Sequence, residues 1–365
     1  MSTAFNEVAP VAAAAPTRVE VTEAPRGDVV LKVTDLTVRF PSDEGLVLAV
    51  QNLSYEARLG RTLAIVGESG SGKSVSSMAV LGLHNPDRTL ISGSVMLDGQ
   101  EIVGASEATM RRLRSKKVAM VFQDPQSSLH PFYKVGSQIA EAYLAHNNVS
   151  RAVARKRAVE MLDRVGIPNP DRRAKQFPHE FSGGMRQRAM IALGLVNDPL
   201  LLIADEPTTA LDVTVQAQIL DLIKDLQKEF GSAVILITHD LAVVAGVADD
   251  ILVMYAGRAV ERGLTREVLA RPNHPYTWGL LQSLPSASED SDQLRAIKGA
   301  PPSLVHLPPG CSFHPRCAFR DIVGEACTSE LPELRAVAQS AGGRLIRCHL
   351  ADPEASLGDY MEGVS

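Results

Sequence analysis

From Val29 onward the chain alternates apolar and polar positions, and it then changes rhythm three times. In LKVTDLTVRF (31–40) Leu36, Val38 and Phe40 fall on one face while Thr37 and Arg39 fall on the other, the period of two that predicts a half-buried strand. GSVMLDGQEI (93–102) sets Asp98-Gly99 between two short apolar runs and predicts a tight hairpin. These opening strands read as antiparallel. Three later runs, TLAIV (62–66), LLLIAD (200–205) and AVILIT (233–238), carry almost no polar residue. Continuous runs of this kind predict parallel strands buried on both faces.

Helical spacing follows each run. Val215, Ile219, Leu222, Ile223, Leu226 and Phe230 recur at intervals of three and four, and Gly231 stops them. Between about 135 and 198 the strand rhythm disappears. Ala154, Ala158, Met161, Leu162 and Val165 form one stripe behind a Ser150 cap. The fold class is therefore α/β, with a parallel-sheet core, an antiparallel β subdomain and a helical insertion. Beyond about 264 proline becomes denser and the regular pattern fades, which predicts a separate C-terminal extension over 264–350. The flanks, 1–28 and 351–365, read as a disordered tail and a flexible tail, the first rich in Ala and Pro and poor in large apolar groups.

Composition narrows the function. With 365 residues the chain has room for two or three domains. A net charge of −5 and a pI near 6.0 give no basic footprint for nucleic acid. No run of about 18 apolar residues is present, and the N-terminal Ala stretch lacks a basic segment before it, so neither a membrane span nor a signal peptide is expected. That places the chain on the cytoplasmic side.

The chemistry begins at GESGSGKS: Gly67, Glu68, Ser69, Gly70, Ser71, Gly72, Lys73 and Ser74. Strand, loop and helix follow in the order that a phosphate-binding loop requires. Glycines let backbone N–H groups turn toward phosphate oxygens, and the helix start adds positive potential. Lys73 is expected at the β and γ phosphates and Ser74 at Mg²⁺. A Gly/Ser-rich turn is the plain alternative. LLLIADEP weighs against it, because Asp205 and Glu206 at a strand end offer one carboxylate for Mg²⁺ and one as base on an attacking water.

With FSGGMRQR (181–188) the chain resembles the ATP-binding-cassette ATPases. The order GESGSGKS, VFQDP, FSGGM, LLIADEP, TTALD, ITHD is that family's order and covers about residues 30 to 263. The resemblance implies a P-loop NTPase of ABC type and two cassettes meeting head to tail around two ATP molecules. It implies Glu206 as general base, with His239 at the γ-phosphate. Gln123 would sense Mg²⁺ and water and touch the membrane partner, so Mg²⁺ would lie among Ser74, Gln123 and Asp205. Ser182, Gly183 and Gly184 would contact the partner's ATP, and Asp212 would lie at the dimer seam. Met185 stands where Gln is more usual, with the Ser-Gly-Gly intact. Phe40 matches the family's adenine-stacking aromatic, yet it shares a face with Leu36 and Val38, which core packing explains equally well.

RPNHPYTWGLLQSLP (271–285) and GAPPSLVHLPPGCSFHPRC (299–317) resemble the C-terminal extension of oligopeptide and dipeptide importer ATPases. His274-Pro275-Tyr276 alone would be a plain turn. Partners implied are a second ABC ATPase cassette, a paralogue in a heterodimer or else a second copy, two transmembrane permease subunits and an external peptide-binding protein, on the cytoplasmic face of the inner membrane. Related importers of nickel, glutathione or antimicrobial peptides, and an ABC ATPase uncoupled from transport, are the alternatives.

All four cysteines, Cys311, Cys317, Cys327 and Cys348, lie in the extension. Reducing thiols disfavour disulfides in the cytosol. A Pro-rich segment with little core of its own calls for a metal staple. The spacing C-x₅-C-x₉-C-x₂₀-C is looser than zinc pairs and nearer to iron–sulfur patterns. Cluster, zinc and four unrelated thiols remain open on spacing alone, and the resemblance points to a [4Fe–4S] cluster.

Overall fold

The computed structural model describes residues 27–124, 128–209, 211–284, 297–337, 343–353 and 355–356. The tails expected over 1–28 and 351–365 fall mostly outside these residues, as do Pro125 of VFQDP and Ala210 of TTALD.

Two sheets form the frame. The first has four antiparallel strands in the order β2-β1-β4-β5: β1 (Val29–Ser42), β2 (Gly45–Arg58), β4 (Leu90–Leu97) and β5 (Gln100–Glu101). Asp98 and Gly99 turn β4 into β5 with φ of 47° and 75°, the left-handed pair that a two-residue hairpin turn needs. Simple alternation fails in β1. Pairing with β2 shifts register on both sides of Leu36, and Asp35 takes φ 49°, so Thr37 turns inward and bonds Asn52 Oδ1 at 3.1 Å. A bulge re-aims the side chains, and a count of two cannot register it.

The second sheet runs β11-β12-β10-β9-β3-β8-β7-β6. Its centre is β3 (Thr62–Val66), β6 (Val118–Val121), β7 (Leu201–Asp205), β8 (Ala233–Thr238) and β9 (Asp250–Tyr255), all parallel. Every residue of β3, β7 and β8 is buried, as their unbroken apolar runs require. β10 (Arg258–Leu264) pairs antiparallel with β9.

Helix α1 (Lys73–Val80) leaves the phosphate loop, and α2 (Glu107–Leu113) follows the hairpin. Then α3 (Val135–Leu144), α4 (Arg151–Arg164) and α5 (Gly183–Leu195) form the helical insertion. Ser150 caps α4 by accepting from the Val153 N–H at 3.3 Å, and Ala154, Ala158, Met161, Leu162 and Val165 are all buried. That stripe packs with Ile139, Phe181 and Ile191 against Val121 and Leu202 of the sheet. α6 (Val213–Phe230) ends at Gly231 in the left-handed region, and α7 (Leu241–Val247) follows β8.

The extension is more regular than its sequence suggests. It supplies α8 (Thr265–Ala270), α9 (Pro275–Gln282), and the short strands β11 (Arg335–Ala336) and β12 (Leu345–Ile346). β12 pairs with β10 at Glu261↔Ile346 and Arg262↔Leu345, so the cassette's sheet continues into the extension. Tyr276, Phe313 and Phe319 are buried, the first two against Tyr255 of β9. The extension has only a small core of its own, around Phe319, Ile346, Cys348 and Leu350, and otherwise shares the core of the cassette. Among the described residues no helix is long and apolar enough to cross a membrane.

Candidate functional site

β3 ends at Val66 and the loop begins at Gly67, whose φ is 155°. A Cβ there would lie 2.2 Å from the Met254 carbonyl oxygen; at Gly72, with φ 98°, it would lie 2.2 Å from that of Ala49. Only glycine fits either position. The backbone thus folds tightly around Lys73, which is 5% exposed and whose ammonium donates to the carbonyls of Gly67 (2.7 Å) and Glu68 (2.9 Å). Burial lowers the Lys73 pKa, and the nearby Glu206, Asp205 and Glu68 carboxylates oppose that shift. The ammonium is held at the mouth of α1, where a phosphate oxygen would meet it.

Asp205 closes β7 and is buried. Burial raises its pKa, the neighbouring Glu206 adds to the rise, and a hydrogen bond from Ser74 and the charge of Lys73 oppose it. A buried carboxylate bonded to a hydroxyl at the phosphate loop suits a hard divalent cation, which takes oxygen ligands. Ser74 and Asp205 therefore fit Mg²⁺ binding.

Glu206 is the meeting point. Its N–H donates to the Ile237 carbonyl at 2.9 Å, anchoring it to β8, and its φ is 45°. Its carboxylate accepts from Gln123 Nε2 at 3.0 Å and from Thr209 Oγ1 at 2.9 Å, and His239 Nδ1 lies 3.2 Å from the other oxygen. Residues 123, 206 and 239 stand at the ends of β6, β7 and β8, neighbours in a parallel sheet. Ligand sites form there because all these strand ends face one crevice. Thr209, in the TTALD segment, went unread in the sequence although it bonds the central carboxylate.

The signature residues lie apart from this group. Ser182 caps α5 by accepting from the Met185 N–H at 3.3 Å, and Ser182 and Gly183 are exposed. Among the described residues no hydrogen bond joins Ser182, Gly183 or Gly184 to the phosphate loop. They meet α6 instead: a Cβ on Gly184 would lie 2.9 Å from Val215 Cγ1. Asp212 caps α6 through the Val215 N–H at 2.9 Å. Phe40 is half-buried, packs against the first core and sets its ring edge-on to His84 at 5.5 Å.

Glu68 has a role that motif reading did not reach. Arg316 of the extension grips its carboxylate through both terminal nitrogens, at 2.6 and 2.9 Å, and the Glu68 N–H donates to the Tyr276 hydroxyl at 2.8 Å. That bond to Glu68 pushes the Arg316 pKa up.

The four cysteines come together in the extension. Cys311, Cys317, Cys327 and Cys348 are free thiols lining one cavity with Phe313, Phe319 and Val323. Among the described residues no three His, Cys, Asp or Glu side chains are grouped to hold a metal ion. The [4Fe–4S] cluster, or zinc, expected at these cysteines therefore has no grouped ligand set behind it among the described residues. Burial pushes Cys317 up to about 12 and Cys348 up to about 11.

A family profile described as "ABC transporter" matches residues 50–209, and one described as "Oligopeptide/dipeptide transporter, C-terminal region" matches residues 260–323. The chain is 48% identical over 323 residues to the oligopeptide transport ATP-binding protein OppD of Escherichia coli (strain K12), covering 88% of this chain and 94% of that one. It is 52% identical over 291 residues to the protein of the same name from Bacillus subtilis (strain 168), covering 79% and 81%. A solved dimeric, post-hydrolysis ATP-binding cassette bound to ADP and Pi superposes with a TM-score of 0.58 at 28% identity, covering 65% of this chain and 99% of that one.

Proposed function

The chain belongs to the ABC transporter ATPase family, and from that premise we propose that it is the ATP-hydrolysing subunit of an importer of oligopeptides or dipeptides. One observation carries the catalytic reading: Gln123, Thr209 and His239 converge on the Glu206 carboxylate at the strand ends next to the loop that buries Lys73. The peptide substrate rests on the two OppD relatives and on the matched C-terminal region.

Hydrolysis then runs as follows. The loop Gly67–Ser74 cradles the triphosphate, with Lys73 on the β and γ phosphates. Glu206 takes the proton of a water as its oxygen attacks the γ-phosphorus, and the bond to the β–γ bridging oxygen breaks to release ADP and phosphate. Gln123 and His239 hold that carboxylate and the water in line. Mg²⁺, when bound by Ser74 and Asp205 with Gln123 beside it, neutralises phosphate charge.

A lone chain lacks half of each site. Ser182, Gly183 and Gly184 begin a helix at the surface, where backbone N–H groups and the dipole suit the γ-phosphate of ATP held by a second cassette. Val213, 85% exposed beside Asp212, is an apolar residue for the seam between them. Phe40 is the candidate for adenine stacking at its exposed edge. A groove of about 630 Å³, lined by Leu81, Leu83, Met120, Phe122 and Leu193, suits a helix of a permease subunit on the cytoplasmic face of the inner membrane.

A thiol-bound cluster in the extension is a separate part of the reading, supported by four cysteines around one cavity and by their spacing. No step of hydrolysis passes through it. Anaerobic purification with a visible spectrum and an iron count tests it, and a colourless, iron-free protein removes it. Pull-down from solubilised membranes tests the rest: two polytopic subunits and a paralogous cassette are expected, and a chain recovered alone or with nucleic acid overturns the importer.

A further inference from the structure

We propose that the C-terminal extension positions the phosphate loop, with Arg316 and Tyr276 as the positioning residues and Glu68 as the part of the loop they hold. The inference rests on the ATPase reading above and adds a function for the extension.

Arg316 is fixed from every side. Its side chain is 5% exposed, its guanidinium lies over the rings of Tyr255 and Phe313 at 5.8 and 6.0 Å, and its Nε donates to the Lys298 carbonyl at 3.1 Å. The two remaining nitrogens form the fork that matches a carboxylate, and Glu68 supplies it. Tyr276 is equally constrained, wedged between Tyr255 and Phe313 with centroids 4.7 and 5.4 Å away. Its own N–H donates to His274 Nδ1, and the N–H groups of His274 and Asn273 donate to the buried Glu261 carboxylate on β10. A rigid line thus runs from the sheet edge through the His-Pro-Tyr turn to the backbone of the loop. That turn, which alone reads as a plain bend, is the mount for Tyr276.

Two physical effects follow. First, a loop with glycines at φ 155°, 78° and 98° has many other conformations open to it, and ATP must select the competent one. A protein that is competent only part of the time binds more weakly by that fraction. Holding Glu68 by side chain and backbone raises the fraction, and the Glu68 carbonyl is also a partner of the Lys73 ammonium. Second, a free Glu68 carboxylate would repel a triphosphate. Arg316 neutralises it at the loop itself. Both effects act on nucleotide binding and neither touches the reacting atoms.

The test uses the full-length chain for equilibrium ATP binding and its purified transporter complex for turnover. Arg316→Ala should weaken ATP binding and raise KM by about 3–10-fold, the range of losing part of a charge-assisted bidentate pair, with kcat held. Arg316→Lys keeps the charge but loses the fork and should fall between. Glu68→Gln added to Arg316→Ala should recover part of the loss, because it removes the stranded charge; a merely structural defect would not recover. Tyr276→Phe deletes only the hydroxyl and should raise KM about twofold or more, which decides the matter should Arg316→Ala fail to fold. Unchanged KM in Arg316→Ala and Tyr276→Phe, or a double variant no better than Arg316→Ala, overturns the proposal. A wild-type complex without ATP turnover would instead remove the ATPase reading beneath it.

Discussion

Gln123 donates to Glu206 across 83 residues of sequence, with Nε2 3.0 Å from Oε2. The bond spans two neighbouring parallel strands, so any shift between β6 and β7 moves the carboxylate. Glu206 is also held at φ 45°, a region that costs a non-glycine residue about 1–2 kcal/mol. The cost persists because the bond from its N–H to Ile237 and the three side-chain contacts over-determine its position.

Glu206→Gln should lower turnover by about 10²–10⁴-fold, the usual contribution of a general base, while ATP binding persists. Phosphate release and equilibrium nucleotide binding on the same preparation check it. Full turnover in this variant would move the base elsewhere.

Gly72→Ala should abolish ATP binding. The added methyl would sit 2.2 Å from the Ala49 carbonyl oxygen at a φ of 98°, and backbone cannot yield as a flexible side chain can. A stability loss of at least about 2 kcal/mol in chemical denaturation should accompany it.

Arg344→Met should loosen the extension. Arg344 and Glu261 form a buried pair at 2.5 Å, with side chains 5% and 0% exposed. Removing one partner strands the other in the core, a loss of about 3–5 kcal/mol. Earlier proteolytic cleavage beyond Leu264 and a lower Tm would register it. The Glu261 pKa is raised by burial and held back by Arg344, so protonation of Glu261 should partly relieve the variant at acidic pH.

Stability should fall as pH drops below about 6.5, in part through His274. Burial pushes this imidazole down to about 3; a hydrogen bond with the Arg347 backbone opposes the shift, and the positive charge of Arg347 adds to it. The unfolded chain, with an ordinary imidazole, binds a proton between about 6.5 and 3 that the folded chain refuses. Its neutral form therefore supports the fold fully above pH 6.5, and the slope below approaches about 1.4 kcal/mol per pH unit for one proton. Denaturation of His274→Gln between pH 7 and 5 should show a flatter slope than the parent chain.

The parallel core was legible because burial on both faces leaves an unbroken apolar run, as in β3, β7 and β8. The phosphate loop and the acids after β7 were legible because their chemistry demands fixed residue types at fixed spacing. Thr37 was misplaced because the register shifts on both sides of Leu36 bury it between Leu36 and Val38. The grip on Glu68 left no trace, since Arg316 lies 248 residues away and a single long-range pair has no period. GCSFHPRC contains that arginine, yet its cysteines drew the reading. Those cysteines also show the limit of spacing: it brings four thiols around one cavity, yet among the described residues no three His, Cys, Asp or Glu side chains are grouped to hold a metal ion.

β12 covers β10 at only two positions, Glu261 and Arg262. A chain cut after Leu264 would therefore present the outer side of β10 as a bare row of amides and carbonyls, open to pairing with the same edge of another molecule. Shortened preparations of the cassette should then associate or precipitate with rising concentration. What reads as an appendage in the sequence is, for solubility, the selvedge of the sheet.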